Sequence, residues 1–279
     1  MKTVLSFHSH VAGARVGHSV SAFAMERLGV TVLQMPTVLY GRRPDRGKPG
    51  GGPMPATLLG AMLEGLRDDG ILARVDAVHC GYLALAEQIA VVVEAADRVR
   101  SANKGAVFVV DPVIGDVERG LYVPEQVAEG VAETLVREAD WITPNAWELA
   151  RIVGRQDLDF QGLREAARRL GKPALVTSAP SAAGIGALYA APTGDWFVET
   201  PLLPLAAKGA GDLFTALFLA RRLLGSAPAP ALEAAAGSVY DVLVQQLALG
   251  AADLPLPAAQ ELLADPMTWP TAKPLPPLS

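Results

Sequence analysis

The chain is almost without cysteine: one thiol, Cys80, among 279 residues. A single cysteine excludes an internal disulfide framework, and its apolar setting, Ala77-Val78-His79-Cys80, assigns it to core packing. Long apolar runs are missing too. None has the length of a bilayer span, and the N-terminus enters a strand pattern with no signal-peptide core, so a soluble cytoplasmic protein with no membrane partner is expected. Positive charge is not in excess: 24 Lys and Arg against 29 Asp and Glu leave a formal net charge of −5, which argues against nucleic acid as a partner. No Gly-x-Gly-x-x-Gly follows the first strand pattern, which counts against a nicotinamide-dependent oxidoreductase. Internal repeats and dividing linkers are absent. Residues 1–265 are therefore expected to form one domain, and the Pro-rich residues 266–279 a loosely ordered tail.

What is present is a chain 51% hydrophobic, rich in Ala, Val and Leu, in which short apolar runs alternate with helical patterns. Residues 4–7, 31–35, 75–80, 106–110, 141–143 and 174–177 read as buried strands; 18–28, 84–99, 124–139 and 163–170 read as helices. Repeated βαβ units predict a mostly parallel sheet covered by helices on both faces, a three-layer α/β/α fold. Residues 187–191 and 196–200 predict an antiparallel hairpin, and two late helices are expected over 212–224 and 231–248. The Gly- and Pro-rich segment 41–53 superficially resembles a P-loop, but its glycine spacing is one residue too long. Pro49 stands where a magnesium-binding hydroxyl is needed. Its composition predicts no regular structure; it reads as a basic mobile flap or a solvated loop.

Chemistry concentrates at predicted strand ends and one helix start. Gly209-Ala210-Gly211-Asp212 opens a long apolar helix pattern, where bare backbone N–H groups and the helix dipole suit an anion such as a phosphoryl group in transit. A carboxylate inside that nest repels the anion unless it accepts a proton from an attacking hydroxyl; its other reading is a helix cap. Asp111-Pro112-Val113-Ile114-Gly115-Asp116 follows a strand and places two acids able to position a hydrated Mg²⁺, or to cap a turn. Thr143-Pro144-Asn145-Ala146-Trp147-Glu148 follows the next strand and also has the spacing of a capping box. Thr177 and Ser178 offer hydroxyls to nucleotide phosphates. In the first turn, residues 9–18, small residues let a substrate approach the backbone, and Tyr82 can stack on a flat ring. His8, His10 and His18 lack a nearby cysteine or carboxylate to complete a zinc site.

Taken in order, Ser9-His10-Val11, Val16-Gly17, Gly81-Tyr82-Leu83, 111–116, Leu121-Tyr122-Val123, Thr143-Pro144-Asn145 with Glu148, Val176-Thr177-Ser178 and 209–213 resemble the pyridoxal kinases of the ribokinase superfamily. The resemblance implies a ribokinase-like fold and an ATP-dependent kinase of the pyridoxal 5′-hydroxymethyl group, acting as a homodimer. It implies Asp212 as base and the backbone of Gly209, Ala210 and Gly211 as anion hole. Asp111, Asp116 and Glu148 would organise Mg²⁺ and the ATP phosphates, with Asp111 and Glu148 as metal ligands and room for a monovalent cation. Thr143, Thr177 and Ser178 would touch the nucleotide; Ser9, His10, Val16 and Tyr82 would hold the pyridine ring. The chain departs from the family at His18, where Asn is usual, at Arg42-Arg43-Pro44 in place of Asn-His-Thr, and at Gly13-Ala14, where an Arg often precedes the Gly. A kinase of another hydroxymethyl heterocycle, such as a hydroxymethylpyrimidine, and a non-catalytic vitamer-binding protein are the alternatives.

Overall fold

A computed structural model describes residues 1–278 except Asp157, Ala183 and Ala206; Ser279, the last residue of the Pro-rich tail, lies outside the described residues. The chain packs as two compact units, Met1–Trp141 and Ile142–Ser279.

The first unit is built on β1 (Thr3–Val11), α1 (His18–Arg27), β2 (Thr31–Tyr40), β3 (Gly51–Pro53), α2 (Ala56–Asp68), β4 (Ala77–Cys80), α3 (Glu87–Ala102) and β5 (Val107–Val110). Its strands lie in the order β3-β2-β1-β4-β5, all parallel except β3, which runs antiparallel along the β2 edge. Burial on both faces of the sheet takes in apolar and polar residues of β1 and β4 alike: Val4, Leu5, Phe7 and Ala77 are fully buried, and so is Ser6, between Leu5 and Phe7. A small hairpin, β6 (Gly115–Asp116) and β7 (Gly120–Leu121), follows β5. The helix expected over 124–139 is interrupted: α4 (Glu125–Gly130) passes into a π turn (Val131–Leu135) and then α5 (Val136–Glu138). The widening begins where Gly130 meets α3, since a Cβ there would lie 2.4 Å from Cδ1 of Ile89.

Segment 41–53 corrects the expectation of no regular structure. Pro44–Arg46 forms a 3₁₀ turn, and β3 pairs with Val38–Tyr40. Proline and glycine are compatible with a strand at a sheet edge, and Gly51 takes φ 85° against the Leu39 carbonyl. Ion pairs brace the turn: Asp45 binds Arg43 at 2.6 Å and Arg119 at 2.8 Å.

The second unit starts within β8 (Trp141–Ile142) and continues through α6 (Ala146–Ile152), α7 (Phe160–Arg169), β9 (Ala174–Ser181), β10 (Gly184–Ala191), β11 (Gly194–Thr200), α8 (Ala210–Leu223), α9 (Pro228–Leu249), α10 (Gln260–Ala264) and β12 (Lys273–Pro274). Ile142 pairs parallel with Ala174; β9 to β12 are antiparallel in sequence order. The expected hairpin is present and longer, from Ile185 opposite Thr200 to Ala191 opposite Gly194. No helix of the described residues is long and apolar enough to cross a membrane.

The tail is not loosely ordered over its described length. Both oxygens of buried Asp241 hold residues 267 and 268: Met267 N–H donates at 2.6 Å, Thr268 N–H at 3.0 Å and Thr268 Oγ1 at 2.6 Å. Leu275 N–H donates to the Asp195 carbonyl at 3.0 Å, and Arg164 donates to the Pro276 carbonyl. The Arg164–Asp195 pair at 2.7 Å is itself buried. Proline removes donors, but side chains and backbone elsewhere in the unit supply partners for the groups that remain.

Candidate active site

In the second unit, α8 begins two residues earlier than expected. Its cap is Gly209, in the left-handed conformation at φ 86°, which carries no capping side chain. The first intrahelical bond runs from Leu213 N–H to the Gly209 carbonyl at 2.9 Å. The N–H groups of Ala210, Gly211 and Asp212 precede it, the geometry of an anion-binding helix start. Asp212 lies half-buried at the third helical position, not at the cap.

Thr143, Asn145, Glu148 and Thr177 come together by the pairing of neighbouring segments. Asn145 and Glu148 form the capping box their spacing predicts: Glu148 N–H donates to Asn145 Oδ1 and Asn145 N–H to Glu148 Oε2, each at 2.9 Å. Thr177 N–H donates to the Pro144 carbonyl at 3.0 Å, holding β9 against this turn. Buried Thr143 keeps its Oγ1 without a hydrogen-bond partner among the described residues. An orphaned buried hydroxyl costs about 1–3 kcal/mol, which a ligand group bonded there would offset.

Thr177 and Ser178 occupy a β-bulge that sequence spacing does not reveal. Val176 pairs with Leu188 and Ala179 with Gly186, so two residues of β9 oppose Ala187 alone. Ser178 takes φ 55° there and is exposed. Bulges re-aim side chains beside functional sites, and strained backbone clusters there.

In the first unit, Ser9 lies on β1 at a second bulge: His8 pairs with Pro36 but Ser9 with Val38, leaving Thr37 as the extra residue of β2. The turn after β1 brings Gly17 onto Ser9. A Cβ on Gly17 would lie 2.2 Å from Ser9 Oγ, and its φ of 60° also favours glycine. His10 and Val16 are half-buried in the same region, His10 bridging to Gly17. Tyr82, half-buried just after β4, accepts a 2.6 Å hydrogen bond from Thr37 Oγ1 on its carbonyl. Burial pushes its phenol up to about 12, with Tyr40 adding to the rise, so the ring stays neutral at working pH.

Asp111 is buried directly after β5, and its N–H donates to the Cys80 carbonyl at 2.8 Å. Burial, and then the charge of Asp111, push the Cys80 thiol above its usual range, in keeping with a packing role. Val113, two residues on, has φ 42°, rare for a β-branched residue. Asp116 sits in the small hairpin, accepting from Arg119 N–H at 2.8 Å and from the Tyr122 hydroxyl. Among the described residues no group of three or more His, Cys, Asp or Glu is arranged to hold a metal alone. Carboxylates few in number fit Mg²⁺, which keeps waters and substrate phosphates as its other ligands.

The family model described as phosphomethylpyrimidine kinase matches residues 24–257. A pyridoxal kinase PdxY of Rubrobacter xylanophilus is 38% identical over 97% of this chain and 97% of that protein. One from Actinobacillus pleuropneumoniae is 33% identical over 95% of this chain and 96% of its own. A solved pyridoxal kinase from Leishmania donovani, in complex with ADP and pyridoxamine, superposes with a TM-score of 0.92 at 26% identity, covering 99% of this chain and 100% of that one. The chain belongs to the pyridoxal kinase family, and its fold is that of the ribokinase superfamily.

Proposed function

We propose that this family member transfers the γ-phosphoryl group of ATP to the 5′-hydroxymethyl group of pyridoxal, forming pyridoxal 5′-phosphate and ADP. The observation that carries this reading is Asp212 at the third position of a helix whose glycine cap leaves the first N–H groups to a ligand. The hydroxymethyl oxygen attacks the γ-phosphorus as the bond to the β–γ bridging oxygen breaks, and the hydroxyl proton passes to the Asp212 carboxylate. A loose phosphoryl-transfer transition state needs charge neutralisation and positioning more than a strong base. The N–H groups of Ala210, Gly211 and Asp212, with the Gly209 cap, bind the transferring anion. Thr143, Thr177 and Ser178 bond the nucleotide, the orphaned Thr143 hydroxyl supporting that role. Ser9, His10, Val16 and Tyr82 hold the pyridine ring. Asp111 and Glu148, with Asp116 nearby in sequence, would hold a divalent cation that neutralises phosphate charge when bound; Mg²⁺ is the species proposed, and a monovalent cation can accompany it.

Residues 1–265 act as one kinase domain in this reading, in a cytoplasmic homodimer whose partners are pyridoxal and ATP. A second reading has a hydroxymethylpyrimidine as acceptor; the matching family model, described as phosphomethylpyrimidine kinase, names a compound of the same methylpyrimidine class. ADP release measured with pyridoxal, pyridoxine, pyridoxamine and hydroxymethylpyrimidine separates them: kcat/KM is expected to be highest for pyridoxal, and a higher value for the pyrimidine would replace the proposal. Excess chelator is expected to abolish ADP release while pyridoxal binding, followed by its absorbance, persists; full turnover in chelator would remove the metal assignment.

A further inference from the structure

All of the chain's four histidines fall in the first unit, and three of them, His8, His18 and His79, are at most 2% exposed and packed ring against ring. The His8 ring centroid lies 5.9 Å from that of His18 and 5.8 Å from that of His79. Ser6 ties the other two together, its Oγ 3.0 Å from His79 Nδ1 and its carbonyl 2.9 Å from His18 Nε2. Apolar side chains fill such a volume at lower desolvation cost, whereas a hydrogen-bonded buried network fixes one arrangement. The arrangement fixed here is that of the His8 ring.

We propose that His8 is a positioning residue for the vitamer ring pocket, setting Ser9 and Tyr82 and so governing pyridoxal affinity without taking part in phosphoryl transfer. The inference rests on the reading of Ser9 and Tyr82 given above. At the β1 bulge the parallel ladder loses its register, and the Ser9 N–H is taken by His8 Nδ1 at 2.9 Å. A nitrogen that accepts this bond cannot carry a proton, so the neutral ring bears its hydrogen on Nε2. Ser9 is thereby held between that bond and the close approach of Gly17. The same ring covers Gly81, where a Cβ would lie 2.4 Å from His8 Cδ2 and Nε2. Gly81 leads directly into Tyr82, whose carbonyl is bonded by Thr37, the extra residue of the same bulge. Thr37 is itself held through its carbonyl by Met54 N–H and Gln88 Nε2, each at 2.8 Å. One imidazole thus bears on the backbone at Ser9 and at Gly81, the residue that precedes Tyr82.

The test compares wild type with His8→Leu and His8→Gln, reading kcat and KM for pyridoxal at saturating ATP and equilibrium pyridoxal binding without ATP. Leu offers no acceptor to the Ser9 N–H, and the expected result is a roughly tenfold rise in KM and Kd for pyridoxal, the effect of about one lost hydrogen bond. In that variant kcat stays within about twofold and KM for ATP is unchanged. Gln, whose amide oxygen can accept the bond, is expected to recover most of the affinity. A Leu variant with wild-type KM and Kd, or one losing activity only in proportion to its folded fraction, overturns the proposal. Should the Leu variant not fold, two-bond ¹H–¹⁵N spectra of the wild-type protein read the ring directly. An unprotonated Nδ1 on His8 that responds to pyridoxal is expected, and a protonated Nδ1 overturns the inference. Wild-type protein that does not phosphorylate pyridoxal overturns the functional reading and the inference with it; pyridoxal KM and Kd equal in wild type and His8→Leu, with pyridoxal still phosphorylated, remove only the latter.

Discussion

Thr143 keeps a buried hydroxyl that its surroundings leave unbonded among the described residues, and Asp212 stands at the third position of a helix that it does not cap; each is informative for that reason. Gly209, not Asp212, is the N-cap of α8. Asp212→Asn preserves shape and removes the proton acceptor; kcat is expected to fall about 10²–10⁴-fold, with pyridoxal affinity and thermal stability little changed. Steady-state kinetics beside a thermal melt check this, and an unchanged kcat would move the proton elsewhere. Thr143→Val deletes a buried hydroxyl that has no partner among the described residues. Its expected outcome is unchanged or higher stability with KM for ATP raised several-fold, because only the nucleotide complex loses a bond. Stability lost with KM intact would make the hydroxyl structural. At this scale the sequence is legible where partners are near neighbours. Asn145 and Glu148 sit three positions apart, and the capping box follows from that spacing. The bulges at Ser9 and at Thr177 and Ser178 depend on register with another strand, and nothing in the local sequence encodes them.

The elements themselves are legible where they are long. Parallel strands buried on both faces read as apolar runs, and α8 and α9 carry helical patterns over many residues, so both are expected from sequence within a few positions. Two-residue strands have no period to read. β12 exists because β11 leaves an edge for it, Trp196 pairing with Pro274 and Phe197 with Lys273. Proline content alone therefore misplaces the tail among disordered segments. Its anchors predict a measurable role: deleting residues 267–279 removes three hydrogen bonds from buried Asp241 and one carbonyl from buried Arg164. Leaving such groups unbonded costs about 1–3 kcal/mol each, and a fall in Tm on the order of 10 °C is expected for a chain of this size. Calorimetry of the truncated protein checks it; a Tm within 2 °C of wild type would make the tail a passive strap.

Across the whole molecule, the alternation of strand and helix was enough to give the fold class, since composition and pattern carry it. The clustering of histidines was not legible, because β1, α1 and β4 contribute one ring each and only tertiary packing joins them. That cluster sets how stability depends on pH. Burial holds the His18 imidazole well below 6.5, with the neighbouring His8, His79 and His10 acting in the same direction against the hydrogen bond to Ser6, which favours the charged form. The unfolded chain therefore binds a proton near pH 6.5 that the folded chain refuses, and stability, full above that value, falls as pH drops through it toward the lower folded value. The slope reaches at most about 1.4 kcal/mol per pH unit for one group. A second loss belongs to carboxylates. Arg43, and then Arg119, hold Asp45 well below the usual carboxylate range, and Arg98 lowers Glu64, so their stabilisation is lost only as pH falls below about 4. Urea midpoints measured from pH 8 to pH 3 are expected to be level above 7, to fall between about 6.5 and 5, and to fall again below 4. His18→Asn keeps an amide donor for the Ser6 carbonyl without a titrating ring, so it is expected to flatten the first fall and leave the second. A first fall that survives the substitution would assign it to another group in the cluster.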